Sequence, residues 1–300
     1  MPKIKYINKR FSAESMVLIN RANKIIEEYT KAGYDLTLRQ LYYQFVARGL
    51  IANSMKEYKR LGSVINDARL AGQIDWNVIE DRTRGIETLP TWQNPPHVIN
   101  SAARWYRTDV WASQPFRMEV WIEKEALASV FERVCNEWRV PYLSCRGYTS
   151  QSEMWRAGQR LIRYINQGKR IVILHFGDHD PSGIDMSRDI QDRLKMFLLG
   201  AKFQFIRMAL NFEQVQEHNP PPNPAKTTDS RSGEYIRLYG DESWELDALN
   251  PAILSEMVER HVTANIDKVA WDAAMAAEEK DKEQLQRVAD NWEDVLVRLN

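Results

Sequence analysis

Apolar residues at helical spacing organise the first third of the chain. Val17, Leu18, Ile25 and Ile26 within Ser12 to Lys31, with acidic residues near both ends, predict a first helix closed by Gly33. Thr37 opens a second helix, with Gln40 three residues later as its capping-box partner and Gly49 as its stop. Leu38, Leu41, Tyr42 and Phe45 fall at i, i+3, i+4 and i+7, so one stripe of this helix is buried. A third helix fits Ser54 to Leu70, with Ser54 and Glu57 as a second capping box and Gly72 as the stop. Its core stripe is Tyr58, Leu61, Ile65 and Ala68, which leaves Lys56, Lys59, Arg60, Ser63 and Asn66 outward. Ile74 to Glu80 then alternates apolar and polar residues like a strand. Three helices and a strand wing are the parts of a winged helix-turn-helix, in which the outward basic face would meet DNA phosphates. A solvated charged face has the same pattern.

Pro90, Pro95 and Pro96 interrupt the periodicity between Leu89 and Pro96, and the expected organisation is a domain over 1–90, a linker over 91–110 and a second domain over 111–300. Past the boundary, strands and helices alternate. Strands are expected at Arg117 to Ile122, Pro141 to Arg146, Ile171 to Phe176 and Phe203 to Met208. Helices are expected at Ala126 to Trp138, Ser150 to Asn166 and Ile184 to Leu199. The fold class is therefore α/β, with a parallel sheet flanked by helices. Pro220 to Pro224 starts a long loop reaching Glu234, and a charged helical tail runs from Pro251. Leu285, Val288, Trp292, Val295 and Leu299 have heptad-like spacing, read as a helix packed on its own domain in preference to a dimer seam.

Charge adds a constraint. With 41 basic and 41 acidic residues the formal net charge is zero, so any attraction to nucleic acid comes from local basic faces. Besides the third helix, Arg82 and Arg84 after the wing and Lys226 and Arg231 in the long loop are candidate phosphate contacts. Cys135 and Cys145 are too few for a disulfide framework and lack zinc-site spacing, which suits a reducing cytoplasm. No stretch approaches the roughly 20 apolar residues of a membrane span, and the basic N-terminus lacks the apolar core of a secretion signal. A soluble, intracellular protein is expected.

The most informative stretch is Ile171-Val-Ile-Leu-His-Phe-Gly177-Asp178-His179-Asp180-Pro181-Ser182-Gly183. Extended backbone beyond Phe176 would turn Asp178 and Asp180 to one side, at the carboxyl end of a buried parallel strand, where open α/β sheets carry their sites. Two carboxylates there repel each other, and a hard cation such as magnesium, as one ion or two, relieves the repulsion. Glu123 ends the apolar strand Met118-Glu-Val-Trp-Ile122 and is placed to reach the same cation, although a helix-start glutamate looks alike. His179 faces the other way, His175 belongs to the core, and Asp185 fits a helix-start carboxylate better than a ligand.

The order of these motifs resembles the Toprim fold: Glu123 at a strand end, an intervening α/β unit, then Asp-x-Asp followed closely by glycine. The Asp-Pro-x-Gly continuation resembles one branch, the A subunit of topoisomerase VI and its meiotic double-strand-break relatives. Leu38-Arg39-Gln40-Leu41-Tyr42-Tyr43 is similar to the Arg-x-x-Tyr-Tyr segment of that family's winged-helix domain, and Trp244-Glu245-Leu246-Asp247-Ala248-Leu249 to its late Glu-x-x-Ala-Leu segment. Together these cover roughly Thr37 to Leu249. The compact chain looks most like the stand-alone "mini-A" relatives of phages and plasmids. His179 and the segment Tyr148-Thr149-Ser150-Gln151 depart from the family pattern.

The resemblance implies that Tyr43 is the nucleophile. The periodicity agrees to the extent that Tyr43 leaves the buried stripe and shares a face with Arg39. A guanidinium there would favour the phenolate and steady phosphate charge. The implied reaction is magnesium-dependent cleavage of double-stranded DNA through a 5′-phosphotyrosyl link, as in type IIB topoisomerases. The implied assembly is a homodimer in which Tyr43 of one protomer meets the Glu123, Asp178 and Asp180 site of the other. No Walker-type phosphate loop occurs in the sequence, so strand passage would need a separate ATP-hydrolysing partner. Two other expectations stand beside this one. One is a hydrolytic Toprim nuclease in which Tyr43 only binds DNA. The other is a non-catalytic DNA-binding or assembly protein.

Overall fold

The structure, a computed structural model, describes residues 3–34, 36–79, 89–225 and 231–299. Helices α1 (Ala13–Lys31), α2 (Leu38–Ala47) and α3 (Met55–Leu70) begin where their caps predict. The Ser12, Thr37 and Ser54 side chains each accept from the amide three residues on, and Thr37 with Gln40 completes a reciprocal capping box. Leu18, Ile25, Leu41, Phe45, Leu61 and Ile65 form one apolar cluster among the three helices.

The expected strand at Ile74 to Glu80 does not form within the described residues, which end here at Ile79. Ile79 makes one isolated parallel bridge to Leu36, and the preceding residues turn and bend. The cause is local. The Asp75 carboxylate accepts the Asn77 amide at 2.8 Å, and Arg69 donates to the Trp76 carbonyl at 2.8 Å, so the backbone is held in a turn.

Within the stretch expected as a linker, α4 (Pro95–Trp105) is helical, capped by Asn94, and packs on α11 (Lys268–Asp290). Next come β1 (Phe116–Ile122), α5 (Ala128–Glu137), β2 (Tyr142–Ser144), α6 (Gln151–Asn166), β3 (Arg170–Phe176), α7 (Pro181–Phe197) and β4 (Gln204–Ala209). The four strands form a parallel sheet in the order β2-β1-β3-β4, confirming the α/β class with a Rossmann-like core. Alternate side chains sort to its two faces. Val120, Ile122, Leu174 and Phe176 meet α5 and α10 (Pro251–Thr263), while Trp121, Ile171 and Ile173 meet α6 and α7. On the α6 face, buried Glu119 is neutralised by both arms of Arg160 at 2.8 and 2.9 Å.

Beyond β4 the chain adds α8 (Phe212–His218), β5 (Asn223–Pro224), α9 (Ser232–Tyr239) and β6 (Glu242–Ser243), the two short strands pairing antiparallel. The expected long loop is thus interrupted by β5 and by a helix. The heptad-like run of the tail is broken at Asn291, which separates α11 from α12 (Trp292–Leu299). No helix among the described residues is long and apolar enough to cross a membrane.

Candidate functional site at the carboxyl end of the sheet

The strand order reverses between β1 and β3. The chain passes from β1 to β2 on one side, then returns to lay β3 on the other. The crevice beyond such a reversal is where open α/β sheets bind ligands. Glu123 and Asp178 both stand there, immediately past the ends of these neighbouring strands.

Backbone packing fixes this end of the sheet. The Asp178 amide donates to Glu123 Oε2 at 2.8 Å, and the Glu123 amide donates to the Phe176 carbonyl at 2.9 Å. The half-buried Arg207 of β4 donates to the carbonyls of Gly177, Asp178, Gly183 and Leu210, tying the turn to the strand. His179 pairs in both directions with Trp244, at 2.8 and 2.9 Å, and its ring lies among Phe212, Tyr235, Tyr239 and Trp244. Burial, with Arg207 nearby, pulls its pKa down to about 4, so it is a neutral packing group. His175 is fully buried on β3, where Ser187 meets its Nδ1 at 3.1 Å. Gly183 must be glycine, since a Cβ there would lie 2.3 Å from the Asp178 carbonyl oxygen.

The three acids have unequal surroundings. Asp178 is engaged at both oxygens, by the Leu246 amide at 2.8 Å and by Lys124 Nζ at 2.9 Å. Asp180 caps α7, accepting the Gly183 amide at 2.6 Å. Glu123 and Asp180 each use one oxygen in these bonds, and neither second oxygen is hydrogen-bonded to another described residue. Burial raises the pKa of Glu123, helped by the nearby charge of Asp180. Burial also raises that of Asp178, as do the carboxylates around it.

No three His, Cys, Asp or Glu side chains among the described residues converge as a ready cation cage. The donor chemistry nevertheless fits a hard cation, because the set is all oxygen and burial disfavours the anionic forms of Glu123 and Asp178 without a counter-charge. At Asp178 the Lys124 ammonium now supplies that charge.

The tyrosine helix meets this end of the sheet. Tyr43, expected off the buried stripe, is itself buried at 5% exposure, and Gln40 and Gln44 are buried as well. The reason is that α2 packs on two sides, against α1 and α3 and against the turn at Leu246–Ala248. Arg39 pairs with Glu245 Oε2 at 2.7 Å and with Asp247 Oδ2 at 2.9 Å, and its guanidinium carbon lies 5.7 Å from the Tyr43 ring centroid. The expected pull of Arg39 toward phenolate is present but outweighed. Burial first, then the Asp247 and Glu245 charges, push the Tyr43 pKa up to about 12 against the opposing pull of Arg39 and Lys124.

Arg39, Tyr42, Tyr43, Asn53, Asp180 and Glu245 line a single cavity of about 380 Å³. The tyrosine and one of the acids thus face the same space within one chain. Asn53 bridges its walls, accepting from Tyr42 Oη at 2.9 Å and donating to Asn223 at 2.7 Å.

Family models give no match to this chain, and no curated protein matches it.

The remaining expected contacts divide. Lys56 and Lys59 are exposed, whereas Arg60 is engaged by Glu57 and Glu14. Arg231 pairs with Asp185 at 2.7 Å and lies over the Tyr148 ring. Asp185 is therefore committed to this exposed pairing, in the second turn of α7. Arg82, Arg84 and Lys226 lie outside the described residues. Lys124, Arg207 and Asp247 were missed as site residues. A lysine directly after the strand-end glutamate was the signal for the first, while the other two act across distant segments.

Proposed function

We propose that this chain cleaves double-stranded DNA by tyrosine transesterification, as the resemblance to the topoisomerase VI A-subunit family implies. One observation carries the reading: Tyr43, Arg39 and Asp180 line a common cavity. In the reaction Tyr43 Oη attacks a backbone phosphorus, and the bond from phosphorus to the 3′-oxygen breaks. A 5′-phosphotyrosyl link forms, and the phenolic proton is passed on as the leaving 3′-oxygen gains one. Arg39 binds a phosphate oxygen, and Lys124 adds a second positive charge beside it. Glu123, Asp178 and Asp180 are the residues that would hold magnesium, which when bound supplies Lewis-acid stabilisation of the phosphate and the leaving oxygen. Helices α1 to α3 serve as the DNA-binding module, with Lys56 and Lys59 toward phosphates. A homodimer cuts both strands, and any strand passage draws on a separate ATPase.

The test is to mix the protein with supercoiled DNA and magnesium and then denature it with detergent. A covalent protein–DNA adduct is expected with wild type and none with Tyr43→Phe. Cleavage by both proteins without any adduct would overturn the transesterase reading. The burial of Tyr43 and its raised pKa favour a second reading, hydrolysis by activated water with Tyr43 only binding DNA. Its signature is cleavage lost in Asp178→Ala and kept in Tyr43→Phe.

A further inference from the structure

Arg39 and Lys124 come from opposite ends of the site, one on α2 and one past β1, yet both reach the same oxygen, Glu245 Oε2. Beneath them, fully buried Asp247 holds the same two cations, Arg39 Nε at 2.9 Å and Lys124 Nζ at 3.3 Å. Asp178 fixes Lys124 from a third side at 2.9 Å. The two cations are therefore held in place without Glu245. Glu245 differs from Asp247 in being partly exposed and in lining the cavity that contains Tyr43 and Asp180. A carboxylate oxygen shared by a guanidinium and an ammonium, on the wall of a cavity, sits where a phosphodiester oxygen would bind.

We infer that Arg39 and Lys124 form a backbone-phosphate subsite and that Glu245 is its internal occupant, which DNA phosphate displaces. This rests on the DNA-cleaving reading above. Glu245 then restrains the site before DNA arrives: it competes for both cations, and its charge is one of those raising the Tyr43 pKa. Asp247, buried and out of the phosphate's reach, is the permanent anchor for both cations.

The measurement is binding of a fluorescent 20-base-pair duplex by anisotropy over a range of salt concentrations, in chelator so that no cleavage intervenes. Glu245→Gln keeps the shape of the side chain and removes its charge. It is expected to tighten binding about tenfold while the log–log salt dependence keeps its slope, since the same phosphate contact is made and only its internal competitor is lost. The gain is expected to vanish in Arg39→Gln/Glu245→Gln. Unchanged or weaker binding by folded Glu245→Gln overturns the subsite. If that variant does not fold, Glu245→Asp, with its carboxylate drawn back by one methylene, must shift affinity in the same direction, and an unchanged affinity overturns the inference. The adduct experiment reads the chemistry separately. Tighter binding without adduct keeps the subsite and removes the transesterase, whereas adduct without tighter binding does the reverse.

Discussion

The acidic end of the sheet and the tyrosine helix line one cavity but are held there by different forces. At the acidic end, main-chain groups do most of the holding: Arg207 on four carbonyls, the two-way pairing of His179 with Trp244, and the close approach at Gly183. The polar attachment of Tyr43 to that end runs through Arg39 and its ion pairs with Glu245 and Asp247. Hydrogen bonds from a guanidinium to neutral carbonyls are little affected by salt, whereas half-exposed ion pairs are screened by it. Geometry is thus fixed at the acids and adjustable at the tyrosine, a division that suits the proposed cleavage, in which a duplex would have to enter before reaction.

The largest effect should come from Gly183→Ala. The added methyl meets the Asp178 carbonyl oxygen at 2.3 Å and the Glu123 carboxylate at 3.0 Å, so the turn has to move. A loss of about 3 kcal/mol in a denaturant titration is expected, with cleavage lost alongside. Should the variant unfold at the wild-type midpoint, the acidic end is as adjustable as the tyrosine helix and the contrast fails.

The same division explains what the sequence disclosed. Caps and periodicity placed the starts of α1, α2 and α3, because Ser12, Thr37 and Ser54 act within four residues of themselves. The apolar runs ending at Ile122 and Phe176 placed Glu123 and Asp178 at strand ends for the same local reason. The burial of Tyr43 was not legible, since the surface that covers it comes from a turn about 200 positions later. Nor was the pairing of Arg39 with Glu245, which spans 206 positions. The strand expected at Ile74 gave way to a turn because Asp75 bonds its own backbone, a competition that alternation alone does not register.

A smaller effect is expected from Arg39→Gln, which tests the adjustable half directly. Arg39 is 44% exposed, and Lys124 remains to pair with both Glu245 and Asp247. The loss in stability is expected to stay near 1 kcal/mol. Amide hydrogen exchange should nevertheless quicken on α2 and at residues 246–248, and molar salt should mimic the variant in wild type. Unaltered exchange at both places, in the variant and in salt, would mean that apolar packing alone seats the tyrosine helix.

The last effect, confined to alkaline pH, is the titration of Tyr43. Its folded pKa is pushed up to about 12 from the usual 10, so the neutral phenol favours the folded chain. That contribution is complete below about 10 and disappears as the pH climbs from there toward about 12. Alkaline unfolding should therefore begin at lower pH in wild type than in Tyr43→Phe, which has no phenol to ionise. Carbon-13 spectra of labelled tyrosine supply the local reading: one resonance, absent in Tyr43→Phe, should titrate above the ordinary tyrosine range and move toward that range in Glu245→Gln. A Tyr43 signal that titrates in the ordinary range in wild type would mean that the helix already leaves the carboxylates in solution. The tyrosine would then be free of the acidic end before any phosphate arrives.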